Sequence, residues 1–126
     1  MDDAPAPAAP EAVDPDCLFC LIVSGEIPAD IVRETDRTIA FRDISPQAPT
    51  HVLVVPRRHY RDFAAVVNSD PELAGVIAQE AVAVARAQGL EDGYRIVVNT
   101  GAEAGQTVFH VHAHVLGGRS FAWPPG

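Results

Sequence analysis

Residues 109–115 read Phe-His-Val-His-Ala-His-Val, and this alternation constrains the chain more than any other feature. Side chains on an extended strand point to opposite faces in turn. Phe109, Val111, Ala113 and Val115 therefore share one face, which is wholly apolar. His110, His112 and His114 share the other, spaced by about 6–7 Å along the strand. The apolar face predicts a core. The histidine face is expected to look onto a groove, solvent or a ligand, because three buried imidazoles would each need a hydrogen-bond partner.

The remaining elements can be placed around that strand. "CLFCLIVS" (17–24) followed by Gly25 predicts a short helix. "IVRETDRTIAFRDI" holds two strand-like stretches around a turn at 35–37, and "SPQAPT" interrupts the chain with two prolines. "HVLVVP" (51–56) reads as a buried strand closed by its proline. Asp70-Pro71 predicts an N-cap and first residue for one long helix, with Leu73, Val76, Ile77, Ala81, Val84 and Ala85 at helical spacing and a stop at Gly89. "YRIVVN" (94–99) and "TVFHVHAHVL" (107–116) then form a hairpin across "TGAEAGQ". The sum is an α+β domain with an antiparallel sheet of about five strands, one long helix and one short one. The expected organisation is a disordered acidic, proline- and alanine-rich leader over 1–13 and a single domain over 14–126.

Composition narrows the function. The 126 residues carry 9 basic and 17 acidic side chains, a net charge of −8, which argues against broad binding to nucleic acid or to an anionic membrane. No apolar run reaches the ~18–20 residues of a membrane span, and the leader has no apolar segment resembling a secretory signal, so a cytoplasmic protein is expected. Cys17 and Cys20 form one C-x-x-C pair. In a reducing compartment this spacing suits metal binding or redox chemistry, and equally the apolar face of a short helix.

The aligned histidines admit two chemistries. They could hold a divalent metal with a further ligand. Alternatively, one imidazole could attack phosphorus while its neighbours bind the phosphate oxygens, a task that suits a side chain largely neutral near pH 7. The preceding "GAEAGQT" favours phosphorus: Gly101 and Gly105 permit close backbone approach, and Gln106 and Thr107 offer an amide and a hydroxyl.

The pattern from His110 to Leu116 resembles the histidine triad of the Hit superfamily. "DISPQAPTHVLVVPRRH", "GYRIVVNTG", "GQTVFHVHAHVLGGR" and the terminal "WPPG" resemble its Hint branch of purine nucleoside phosphoramidases, across 17–126. This resemblance implies a Hit-like fold with the sheet continued across a homodimer. It also implies hydrolysis of adenylate-amine compounds to AMP through a nucleotidyl-histidine intermediate, with no cofactor for catalysis. His112 would be the nucleophile, and His114 would contact the α-phosphate. His110 and His51 would support them. Asn99, Gly105, Gln106 and Thr107 would line the phosphate site, Thr107 standing where the branch often has serine. Asp43, otherwise a turn-forming residue, would take the ribose hydroxyls. Leu18, Phe19, Ile22, Ile27, Phe41, Ile44 and Leu53 would enclose the purine, and Trp123 would reach the partner's site.

Some bacterial relatives bind zinc through a C-x-x-C pair and two histidines. The matching set here is Cys17, Cys20, His59 and His110, a closed structural site. His110 is thus claimed by two roles. Two rivals remain: hydrolysis of dinucleoside polyphosphates, and a nucleotide-binding, zinc-stabilised interaction module.

Overall fold

The computed structural model describes residues 14–126, so the expected leader over 1–13 lies outside the described residues. Five strands form one antiparallel sheet: β1 (Ile31–Glu34), β2 (Thr38–Arg42), β3 (Thr50–Pro56), β4 (Tyr94–Val97) and β5 (Ala113–Gly117). Their spatial order is β1-β2-β3-β5-β4, which places β3 and β5 at the centre and leaves β1 and β4 as edges. Three α-helices accompany them: α1 (Leu18–Val23), α2 (Phe63–Ser69) and α3 (Pro71–Ala87). The α+β class and the five strands agree with the sequence reading. Among the described residues no helix is long and apolar enough to cross a membrane.

The sheet sorts its residues strictly by parity. Val52 and Val54 of β3, Ala40 of β2, and Val111, Ala113 and Val115 pack with Leu73, Ile77, Ala81, Val84 and Ala85 of α3. The opposite face gathers Ile39, Phe41, Leu53 and Val55 against Cys17, Phe19, Cys20 and Ile22 of the α1 segment. Both faces are therefore covered, and burial of each large aliphatic side chain contributes about 1.5–3 kcal/mol. Asp70 opens α3, its carboxylate accepting from the Leu73 N–H (3.2 Å) while also pairing with the Arg37 guanidinium. One aspartate thus ties the long helix to the β1–β2 turn.

Three departures from the sequence reading matter. An extra helix, α2, precedes α3, with Asp62 accepting from the Ala65 N–H at 2.9 Å; "FAAVVNS" is too short for periodicity to separate it from a loop. The last strand begins only at Ala113, because Val111 N–H bonds to the Tyr60 carbonyl (2.8 Å) rather than to a neighbouring strand. And β4 reaches β5 through 98–112, containing a 3₁₀ turn at Ala102–Ala104, not through a tight hairpin.

Candidate functional site

The histidine face lies under α1, not in open solvent. His110 is fully buried and His112 nearly so, while His114 on β5 is half-buried. Each imidazole has the partner that burial demands. His110 Nε2–H donates to the Pro56 carbonyl (2.8 Å), and His112 Nδ1–H donates to the main-chain carbonyl of His110 (2.8 Å). Phe19 stands edge-on to both rings, with centroids at 6.0 Å from His110 and 5.0 Å from His112.

β3 brings His51 alongside. It pairs with Leu116 while Leu53 pairs with His114, so His51 and His114 are diagonal neighbours on one face. The Gln47 main-chain N–H donates to His51 Nδ1 at 3.0 Å, which obliges a neutral His51 to carry its proton on Nε2. His51 Nε2–H then donates to His114 Nδ1 at 2.9 Å, leaving the His114 proton on Nε2. The ring centroids of His114 and His112 are 4.9 Å apart. The tautomers of three histidines are thereby fixed by one backbone amide and one backbone carbonyl. His112 is left with an unprotonated Nε2 and His114 with an Nε2–H.

Electrostatics keep this group neutral. Burial lowers the His112 pKa below its usual 6.5, and the hydrogen bond to His110 opposes this in part. His114 is pushed down to about 4 by burial and then by His112 and His51. His51 is lowered by burial, with Asp43 acting in the other direction. Asp43 divides its oxygens: Oδ1 accepts from the Ser45 N–H (2.8 Å), the turn that its position before "ISP" suggested, and Oδ2 lies 3.5 Å from His51 Nε2.

Among the described residues two groups of side chains have metal-ligand spacing. Asp43, His51 and His114 form one, but the Gln47 N–H at His51 Nδ1 holds a proton on the nitrogen that would have to ligate. Cys17, Cys20, His59 and His110 form the other, and it passes the same test. His110 spends its proton on Pro56, so Nδ1 presents a lone pair. That Nδ1 lies 3.4 Å from Cys17 Sγ, 3.5 Å from Cys20 Sγ and 3.3 Å from His59 Nδ1, and His59 Nδ1 lies 3.4 Å from Cys20 Sγ. Tetrahedral zinc, with bonds of about 2.3 Å to sulfur and about 2.0–2.1 Å to nitrogen, sets such atoms about 3.3–3.6 Å apart. The donor set therefore fits zinc in chemistry and in edge length. Burial pushes the Cys20 thiol up to about 11, so in this apolar setting its thiolate calls for a cation.

Both ring nitrogens of His110 are therefore engaged, by Pro56 and by the cysteine cluster, and His112 meets its main-chain carbonyl. Gln106 also differs from expectation. Its Oε1 accepts from the Gly101 N–H (2.9 Å), and its Nε2 donates to the carbonyls of Arg61 (2.8 Å) and Val108 (3.1 Å). Its amide pins the loop instead of offering a free donor. Gly105, at φ 98°, sits where a Cβ would stand 3.8 Å from Asn99 Nδ2, so those two expected phosphate neighbours do adjoin. Thr107 is exposed. Phe19, Ile22, Phe41 and Leu53 cluster together with Ile27 against them, whereas Leu18 is exposed and Ile44 is 96% exposed. Trp123 is 81% exposed in the single chain, with the neighbouring Phe121 ring under Arg95 and Arg119.

Sequence reasoning missed the partners that set the tautomers: the Gln47 amide, the Pro56 carbonyl and the His110 carbonyl. Main-chain groups carry no residue signature; only the two prolines flanking Gln47 hinted at a fixed loop.

A model of the HIT domain matches residues 24–121, spanning the Asp43 turn, His51 and all three alternate histidines. The chain belongs to the HIT domain family. Cys17 and Cys20 lie ahead of the matched segment. A HIT family hydrolase from Legionella pneumophila Philadelphia 1 is 50% identical and superimposes with a TM-score of 0.84, over 88% of this chain and 100% of its own. A 14 kDa zinc-binding protein of Zea mays is 44% identical over 115 residues, 90% of each chain. A histidine triad nucleotide-binding protein from Candida albicans is 30% identical with a TM-score of 0.75, over 86% of this HIT chain and 83% of its own.

Proposed function

We propose that this HIT protein hydrolyses purine nucleoside phosphoramidates, releasing a nucleoside monophosphate and an amine through covalent attachment to His112. The observation that carries the reading is the fixed tautomer of His112. With Nδ1–H committed to the His110 carbonyl, its Nε2 lone pair is the only ring site left to react. The likeness to a HIT family hydrolase and to a nucleotide-binding triad protein supports the substrate class.

In this mechanism Nε2 of His112 attacks the α-phosphorus and the phosphorus–amine bond breaks. A phosphate anion bound beside His114 and His51 raises their pKa, so the pair takes up a proton as substrate binds, on the His51 Nδ1 that the Gln47 N–H otherwise occupies. The His114 Nε2 proton then passes to the departing amine while the His51 Nε2 proton moves to His114 Nδ1. The nucleotidylated His112 now carries positive charge, and its Nδ1–H bond to the His110 carbonyl strengthens as the charge develops, which favours the transition state over the ground state. Water then attacks phosphorus, gives its proton to the neutral His114–His51 pair, and His112 leaves uncharged. Asp43 Oδ2 would take the ribose hydroxyls, and Phe19, Ile22, Ile27, Phe41 and Leu53 would back the purine. Asn99, Gly105 and Thr107 would line the phosphate.

Cys17, Cys20, His59 and His110 would hold a structural zinc, which supplies a rigid cross-link and no reacting group. The Zea mays relative supports that assignment. The protein would be a homodimer joined through the β4 edge, where Ile96 is 41% exposed, bringing Trp123 toward the partner's site.

An adenosine phosphoramidate of a fluorescent amine tests the reading. Turnover by the wild type and its loss in His112→Ala are expected. Equal turnover in both would remove His112 as nucleophile, and AMP binding without turnover would leave the interaction module in its place.

A further inference from the structure

The Cys₂His₂ centre and the reacting histidine are not separate parts of the fold. His110 belongs to both: its imidazole faces Cys17, Cys20 and His59, while its main-chain carbonyl, in the same residue, accepts the His112 Nδ1–H. A second connection runs through α1. Phe19 sits between the two cysteines in sequence and packs its ring edge-on against His110 and His112. Pro56 O completes the arrangement, holding His110 Nε2–H on the side away from the sulfurs.

We propose that the Cys17–Cys20–His59–His110 centre positions the nucleophile, its four ligands drawn around their metal so as to fix the His110 carbonyl and, through it, the tautomer and orientation of His112. This rests on the reading of His112 as nucleophile and gives the metal centre a part in the rate rather than in stability alone. Without a cation, thiol protons and the ring proton of His59 leave only contacts of 3.3–3.5 Å at His110 Nδ1. The short anchor left to the His110 ring is then the Pro56 carbonyl, and Phe19 is flanked by cysteines no longer tied to one ion. A carbonyl that shifts by a few tenths of an ångström weakens the bond which keeps the reacting nitrogen of His112 unprotonated. None of these ligands touches the phosphate. They are positioning residues.

The test uses the full chain with ¹⁵N-labelled histidine, in zinc-loaded, cadmium-exchanged and metal-stripped forms. In the zinc form the His112 Nδ1–H should give a hydrogen-bonded imidazole proton resonance. Exchange for the larger cadmium ion should move that resonance while those of His51 and His114 hold. Stripping the metal should broaden or abolish it and lower kcat about ten- to a hundredfold with KM unchanged. Cys17→His, which retains four ligands, should keep the resonance, and Cys17→Ser should lose both metal and resonance. If the stripped protein unfolds, the cadmium form decides, since all four ligands remain engaged. An unchanged His112 signal on cadmium exchange overturns the proposal, as does an equal shift of all the histidines or a protein that binds no metal. The resonance needs no substrate. A metal-sensitive His112 in a chain without turnover would sink only the proposed hydrolysis, and turnover with a metal-insensitive His112 would sink only the coupling.

Discussion

His51 Nε2 and His114 Nδ1 lie 2.9 Å apart, and the Gln47 main-chain N–H, at the far nitrogen of His51, determines that His51 is the donor between them. One proton thus lies between the two rings, with Asp43 Oδ2 3.5 Å from His51 Nε2.

That site predicts an acid-sensitive fold. The His114 pKa is about 4 in the folded chain against 6.5 in the unfolded one. Between those values the unfolded chain binds a proton that the native state refuses, so the associated stability is complete above pH 6.5 and is lost as pH falls toward 4. The Tm of the wild type should drop across this window more than that of His114→Asn. Parallel Tm–pH curves for the two proteins would contradict the assignment.

The proposed attack needs His112 neutral, and burial lowers its pKa below 6.5. The acid limb of kcat/KM should therefore fall below pH 6.5 rather than at the usual imidazole value. A limb centred above 6.5 would mean that His112 is more solvated in solution than its burial here implies.

Gln106 should prove structural. Replacement by alanine strands the Gly101 N–H and the carbonyls of Arg61 and Val108. Leaving such groups unsatisfied costs about 1–3 kcal/mol. Urea unfolding of Gln106→Ala should show a loss of about that size, and an unchanged midpoint would show that water replaces the amide.

The two clusters with ligand spacing should behave differently toward metal. The protein as isolated should carry one zinc per chain by elemental analysis. Cys20→Ser should lose it and His51→Ala should keep it, because in the Asp43 set the His51 nitrogen that would ligate carries a proton. Loss in His51→Ala would move the metal to the Asp43 side.

At the β4 edge, Ile96 lies exposed where a second sheet could join. Ile96→Glu places a charge at that edge and should convert a dimer to a monomer in light scattering, as charged edges block strand pairing. A variant of unchanged mass would locate the interface elsewhere.

Much of this architecture was legible in side-chain order. The alternation of Val111, Ala113 and Val115 named a core face correctly, and Asp70-Pro71 marked the start of α3. The helix Phe63–Ser69 was not legible, because seven residues give too few turns for a period to show. Nor was the covering of the histidine face: alternation says which residues share a face, not what lies over it. The position of α1 above His110 and His112 rests on Phe19 meeting both rings, a contact between distant segments that no local pattern specifies. Resemblance groups Cys17, Cys20, His59 and His110, and their convergence cannot come from spacing, with Cys20 and His59 39 positions apart.

One consequence concerns how the alternate histidines should be counted. In the proposed hydrolysis three imidazoles would serve the phosphate, but they would be His112, His114 and His51, drawn from β5 with the segment leading into it and from β3. His110 keeps its place in the motif while its ring belongs to another centre and its peptide oxygen to this one. Mutagenesis at 110 therefore cannot report on a side chain alone. A non-ligating substitution there would remove a donor from the proposed metal centre yet leave the carbonyl in the chain, so its effect on the proposed turnover would measure how far the peptide drifts when its anchor is gone.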